Sequence, residues 1–185
     1  MYFRFFPNIL SISRIFIAPF FVIIMLKNTF LFKIVGLILF FVGSLTDILD
    51  GYIARKYNIK SEFGKYIDPL ADKILVIITL CILSFFYPNQ ITMWMIIVLL
   101  ARDIFVMCYR KLLINNNYSL ETSKYAKLKT LFQIVVIHIL LILHIINPDY
   151  ILLYNFTYYL ILLCVMFSFF TALHYIGVNS LLIKK

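Results

Sequence analysis

Long apolar stretches broken by short polar segments set the pattern of this chain. Runs can be read at Ile9–Leu26, Leu31–Leu49, Asp68–Tyr87, Ile91–Tyr109, Thr130–Ile146 and Ile151–Ile176, with breaks such as Pro88-Asn89 and Asn147-Pro148. Each run is close to the ~20 residues that a helix needs to cross the hydrocarbon core of a bilayer. The pattern predicts an all-α integral membrane protein of about six transmembrane helices, one membrane domain over residues 1–185. Pro7-Asn8 opens the first run, where Asn suits a helix cap, and Pro19 inside it is a kink that a membrane helix tolerates. The last run exceeds one span and is expected to tilt or to emerge at the surface.

Composition agrees with this pattern. Hydrophobic residues make up 64% of the chain and charged ones 14%, a balance that no water-facing globule of this size carries. Met1 to Pro7 holds only Arg4 as a charge and offers no small-residue cleavage site, so no removable signal peptide is expected. Cys81, Cys108 and Cys164 lie singly in apolar runs, without a CxxC pair, and are expected to be buried packing residues. His138, His144 and His174 are also isolated, and polar contacts between helices suit them better than metal.

Charge adds an orientation. Arg55, Lys56, Lys60 and Lys65 follow the second run, Lys111, Lys124 and Lys127 follow the fourth, and Lys184 and Lys185 end the chain. The opposite loops hold Lys27 and Lys33, then no basic residue near Pro88, then Asp149. Basic residues accumulate on the cytoplasmic side, so both termini are expected there. The net charge of +9 follows from this asymmetry and suits anionic lipid headgroups rather than nucleic acid. Asn115-Asn116-Asn117 is expected to be a loop tip.

Chemistry concentrates in one stretch. The chain has only 8 acidic residues, yet Asp47, Asp50, Asp68 and Asp72 fall together at the edges of two runs. Residues three or four apart share a helix face, so these form two carboxylate pairs, and side-by-side helices would converge all four near the cytoplasmic surface. Four negative charges in a partly dry site take up protons or demand cations. Two divalent ions would neutralise them, and an all-oxygen set without His or Cys favours Mg²⁺ or Mn²⁺. Gly51, Ala54 and Gly64 leave room for a bulky substrate near the backbone, and two metals suit a diphosphate.

The spacing Asp47-x2-Asp50-Gly51-x2-Ala54-Arg55-x8-Gly64-x3-Asp68-x3-Asp72, over residues 47–72, resembles the complete signature of the CDP-alcohol phosphatidyltransferases. The segments Pro7 to Arg14, Asp68 to Lys73 and Lys127 to Thr130 also resemble those of bacterial phosphatidylglycerophosphate synthases. The resemblance implies that family's fold, an active site at the cytoplasmic face of a bacterial inner membrane, and a homodimer. It implies that Asp47, Asp50 and Asp68 hold metal, and that Asp72 both touches metal and acts as general base. Gly51, Arg55 and Ser61 would bind the CDP headgroup of CDP-diacylglycerol, with Asn8 near the same pocket. Bottom-up chemistry agrees, because an alcohol is a poor nucleophile and needs a carboxylate to take its proton as CMP departs.

A second, basic set bears on the acceptor. Arg102 and Arg110, two helical turns apart, are read on one face, with Lys127 and Lys129 at the start of the fifth run. An arginine as deep as Arg102 needs a partner, which could be Asp103, the carboxylate cluster or an anionic ligand. The set suits an acceptor with its own phosphate, such as glycerol 3-phosphate. The alternative within the family is a cardiolipin synthase that uses phosphatidylglycerol. A membrane prenyltransferase would be expected to have more helices and two separated Asp-rich motifs. A non-enzymatic ion carrier would have no use for Gly51, Ala54 and Arg55 beside the carboxylates.

Overall fold

A computed structural model describes the backbone of residues 6–56, 64–116, 124–146 and 151–183, and the side chains of residues 13–46, 71, 73–116, 128–146 and 155–179. Among the described residues all regular structure is helical: α1 (Phe6–Leu26), α2 (Phe30–Lys56), α3 (Gly64–Phe86), α4 (Met93–Asn115), α5 (Lys124–Ile146) and α6 (Ile151–Ile183).

Each apolar run coincides with one of these helices, apart from Tyr87, Ile91 and Thr92 in the turn between α3 and α4, and most of the helices run on past the runs into polar sequence. Helix α2 continues beyond Leu49 to Lys56, and α3 begins at Gly64, ahead of Asp68. Hydrophobicity records which residues face lipid or core, whereas a helix continues for as long as its backbone bonds are satisfied and no breaker intervenes. All four signature aspartates therefore stand inside helices. Asn115 likewise ends α4 and Asn116 is its C-cap, whose N–H donates to Leu112 O at 3.2 Å, so these two are helix terminus rather than loop tip.

Turns explain the reversals. Helix α1 ends where Asn28 takes a positive φ of 51°, and its N–H donates to Met25 O at 3.0 Å. Asn tolerates this left-handed conformation better than most residues and so serves as a helix stop. Between α3 and α4 the N–H groups of Gln90 and Ile91 both donate to Tyr87 O, at 3.2 and 2.9 Å. Pro19 sits inside α1 without ending it.

The helices sort into two compact sets. Residues 1–86 and 137–149 form the first, in which α1 packs against both α2 and α3 and α2 touches α3. Ala18, Phe21, Met25, Phe40, Leu75, Leu83, Ile137 and Leu141 fill its interior. Residues 87–136 and 150–185 form the second, where α4 packs against α6. Met95, Ile96, Leu99, Val136 and Ile161 are buried there.

The outer faces are apolar as well. Phe16, Phe20, Phe30, Phe85, Ile97, Ile146 and Met166 are each more than half exposed, an arrangement that lipid tolerates and water does not. Two stretches among the described residues, Leu128–Ile146 and Asn155–Asn179, are long and apolar enough to cross a membrane. Shorter apolar stretches, Ser13–Leu26, Phe30–Thr46 and Lys73–Phe86, lie in α1, α2 and α3.

Candidate active site

Close approach of α1, α2 and α3 depends on two glycines. A Cβ on Gly36 would run into the Met25 side chain and stand 3.6 Å from Phe21 Cε2; one on Gly43 would run into Leu75. Small residues at such crossings let membrane helices pack backbone to backbone. These contacts also fix the register. Positions 36, 40, 43, 47 and 50 recur at spacings of four and three along α2, and so share one stripe. On α3, positions 75, 72 and 68 do the same.

Gly43 faces Leu75 on an antiparallel neighbour. Counting one turn along both helices sets position 47 level with 71 and 72, and a second turn sets 50 level with 68, each to within about a turn. The backbone thus brings all four signature positions to one end of the α2–α3 pair, on the stripes by which the helices meet. Side chains of these aspartates, and of Asn8, Gly51, Arg55 and Lys127, lie outside the described residues, although their backbones stand on α1, α2, α3 and α5; Ser61 lies outside altogether. Among the described residues no group of three or more His, Cys, Asp or Glu could hold a metal ion.

The basic set is organised around Asp103. Lys129 Nζ donates to both its carboxylate oxygens, at 2.8 and 3.0 Å, and Arg102 donates to Oδ1 at 3.0 Å. Arg102 continues into α6, donating from Nε to Ser168 O at 3.0 Å and from its other terminal nitrogen to Thr171 Oγ1 at 2.7 Å. Lys129 is 3% exposed, so its charge depends on this pairing. Two cations on one carboxylate leave a net positive charge, rigidly held by charge-assisted bonds.

Arg110 stands apart from that cluster and is exposed. Eight residues make more than two full turns of 3.6, so position 110 is rotated by about 80° from position 102 and the two arginines meet different surroundings. The sequence offered Asp103 as one partner for Arg102. It did not reveal that Lys129 shares that carboxylate, nor that Ser168 and Thr171 complete the cluster, because those contacts join helices far apart in the chain.

Lys33, His138 and His144 are further polar groups of the first set. Lys33, near the start of α2, is buried and donates to His144 O at 3.3 Å, while the His144 ring packs on Phe86 with centroids 4.9 Å apart. His138 packs edge-on against Phe40 and Phe41. Both histidines thus make contacts between helices. Cys164 is buried and Cys81 partly so, but Cys108 is exposed on α4, contrary to the expectation of burial, because on an outward face an apolar environment is supplied by lipid.

The sequence model of the CDP-alcohol phosphatidyltransferases matches residues 4–176, and the chain belongs to that family. It is 39% identical over 137 residues to a protein of Rickettsia typhi, an overlap of 74% of this chain and 75% of the relative. A Bacillus subtilis protein is 36% identical over 148 residues, covering 74% of this chain and 76% of the relative. One from Aquifex aeolicus is 37% identical over 126 residues, covering 68% and 69%. All three are named CDP-diacylglycerol--glycerol-3-phosphate 3-phosphatidyltransferase.

Proposed function

We propose that this chain transfers the phosphatidyl group of CDP-diacylglycerol to glycerol 3-phosphate, giving phosphatidylglycerophosphate and CMP. The observation that carries the reading is the register of α2 and α3, with positions 47, 50, 68 and 72 at one end of two touching helices. The shared name of the Rickettsia, Bacillus and Aquifex relatives supports the acceptor.

Four carboxylates without nitrogen or sulfur donors fit hard divalent cations, so Asp47, Asp50, Asp68 and Asp72 would hold two Mg²⁺ or Mn²⁺ ions. When bound, such ions supply positive charge to the diphosphate and to the departing phosphate. Gly51, Arg55, Ser61 and Asn8 hold the CDP headgroup, with Gly51 permitting close approach to the backbone. Asp72 takes the proton of the acceptor hydroxyl, whose oxygen attacks the phosphorus bonded to diacylglycerol, and CMP leaves. Arg102, Arg110, Lys127 and Lys129 draw the acceptor's phosphate, with Asp103 keeping Arg102 and Lys129 in place.

In this reading six helices span a bacterial inner membrane, both termini and the active site face the cytoplasm, and the protein is a homodimer. The loop charges support the orientation. Lipid tails explain the location, since the diacyl donor reaches the pocket sideways between helices.

The test is product identification. Purified protein in detergent, given CDP-diacylglycerol and Mg²⁺ or Mn²⁺, should release CMP with glycerol 3-phosphate as acceptor. Product formed from phosphatidylglycerol instead would make the chain a cardiolipin synthase. Absence of CMP release with every acceptor would end the transferase reading.

A further inference from the structure

Arg14 is the largest fully buried side chain among the described residues, 1% exposed, and lies in the apolar helix α1. Its guanidinium stays protonated at any working pH, so a permanent positive charge sits inside the first set of helices. Such a charge persists in an apolar interior only with anionic or strongly polar company.

Its position on α1 says where that company is. Arg14, Ala18, Phe21 and Met25 recur at spacings of four, three and four, and all four are buried. The stripe faces α2, because Gly36 lies against both Met25 and Phe21. Counting along the antiparallel pair from the Phe21 contact sets position 14 level with 43; counting from the Met25 contact sets it level with 47. Side chains on a helix lean toward its N-terminus, which is the direction of positions 47 and 50 here.

Few anions are available at that end. The acidic residues in the sequence of this set are Asp47, Asp50, Glu62, Asp68, Asp72 and Asp149. Asp149 follows the C-terminal end of α5, the end where Lys33 at the start of α2 meets His144, opposite to the end that carries position 47. Positions 47 and 72 are level with Arg14 to within about a turn, positions 50 and 68 lie a turn further on, and Glu62 belongs to the α2–α3 connection.

We infer that Arg14 is the resident counter-cation of the carboxylate cluster, facing Asp47 first, and a positioning residue for the reaction. The inference rests on reading the four aspartates as the metal site. Two consequences have opposite signs. A fixed positive charge beside the cluster weakens its hold on divalent ions by direct repulsion. Four carboxylates and two divalent ions cancel, however, so Arg14 gives the loaded site a net positive charge toward the donor's diphosphate, adding to that of Arg55.

The experiment compares the full-length protein with Arg14→Met and Arg14→Lys in detergent, measuring Mn²⁺ binding by electron paramagnetic resonance and steady-state kinetics with CDP-diacylglycerol varied. Arg14→Met should bind Mn²⁺ at least about threefold more tightly and show a KM for the donor at least about fivefold higher. Arg14→Lys, which keeps the charge, should stay within about twofold of the parent in both. Loss of packing alone would not tighten metal binding, so unchanged or weaker Mn²⁺ affinity in Arg14→Met overturns the inference.

Stability in EDTA gives a readout that needs no metal. Arg14→Met should lower the melting temperature by at least about 5 °C, and adding Asp47→Asn should restore at least half of the loss. Should Arg14→Met not fold, recovery of folded protein in the double variant takes the place of that measurement, and no recovery overturns the pairing. A parent protein that binds no Mn²⁺ would refute the metal reading, and the EDTA cycle would still decide the role of Arg14.

Discussion

Lys129 on α5 and Asp103 on α4 form a two-point ion pair, with one ammonium donating to both carboxylate oxygens at 2.8 and 3.0 Å. The same carboxylate accepts from Arg102 at 3.0 Å. Removing Asp103 takes the carboxylate from a buried ammonium and a partly buried guanidinium, which costs more than the pair contributes by forming. Asp103→Ala should therefore destabilise the protein by ~3–5 kcal/mol, read as a fall in the detergent melting temperature. A shift below a degree or two would mean that the cluster opens to water.

Acceptor recognition separates the four basic residues by how tightly the fold holds them. Arg110 is exposed and outside the Asp103 cluster, so alanine there should leave folding intact. Arg110→Ala and Lys127→Ala should each raise the KM for glycerol 3-phosphate at least tenfold, ~1.4 kcal/mol, with little change for the CDP-lipid. Arg102→Ala and Lys129→Ala should lose stability in addition. Steady-state kinetics with each substrate varied checks this, and an unchanged acceptor KM in both Arg110 and Lys127 variants would return them to topological anchors.

Much of this was legible in the chain before the structure. Six apolar runs located six helices because burial in lipid or core imposes long hydrophobic stretches. The aspartate spacing pointed to positions that share a helix face, and the backbone places all four on α2 and α3. Pairing between helices was not legible: Lys129 with Asp103 and Thr171 with Arg102 depend on how α4, α5 and α6 pack, which no local pattern encodes. Arg110 was grouped with Arg102 because eight residues look like two turns, and the residual rotation of about 80° leaves Arg110 exposed where Arg102 is partly buried. Arg14 passed as one letter of a motif, and only its burial reveals it as a charge that needs an explanation.

Among the carboxylates, the roles differ in what their loss should leave behind. Asp47→Asn, Asp50→Asn or Asp68→Asn should cut turnover by the ~2.7–4 kcal/mol expected for one electrostatic stabiliser, or more. Asp72→Asn should abolish transfer yet retain CDP-diacylglycerol binding, since a lost base does not remove the donor's contacts. Donor binding and CMP release measured on the same preparations separate the two classes. A near-normal rate for Asp50→Asn, or activity in EDTA, would contradict the metal site.

Orientation is independent of the family match, because it rests on loop charge. Cysteine replacements at Asn116 and Lys185 should be labelled from the cytoplasmic side, and those at Asn89 and Asp149 from the other. The background must lack Cys81, Cys108 and Cys164, above all Cys108, which is exposed. Labelling of position 116 from outside would overturn the arrangement.

Gly43 allows geometry to be tested apart from chemistry, since it carries no reactive group and faces Leu75 on α3. An alanine there meets only the far end of a flexible leucine side chain, which can turn aside, so Gly43→Ala should keep most of its activity. Gly43→Ile adds a branched side chain at the crossing and must push α2 from α3, one turn from position 47. Displacements near 1 Å in a reacting constellation cost roughly a hundredfold in rate. Gly43→Ile should accordingly lose at least about tenfold in kcat while the protein stays folded, and Leu75→Ala in the same chain should restore part of the loss by making room. If Gly43→Ile works at the parent rate, the α2–α3 crossing does not set the spacing of the carboxylates, and positions 50 and 68 are not held level by it.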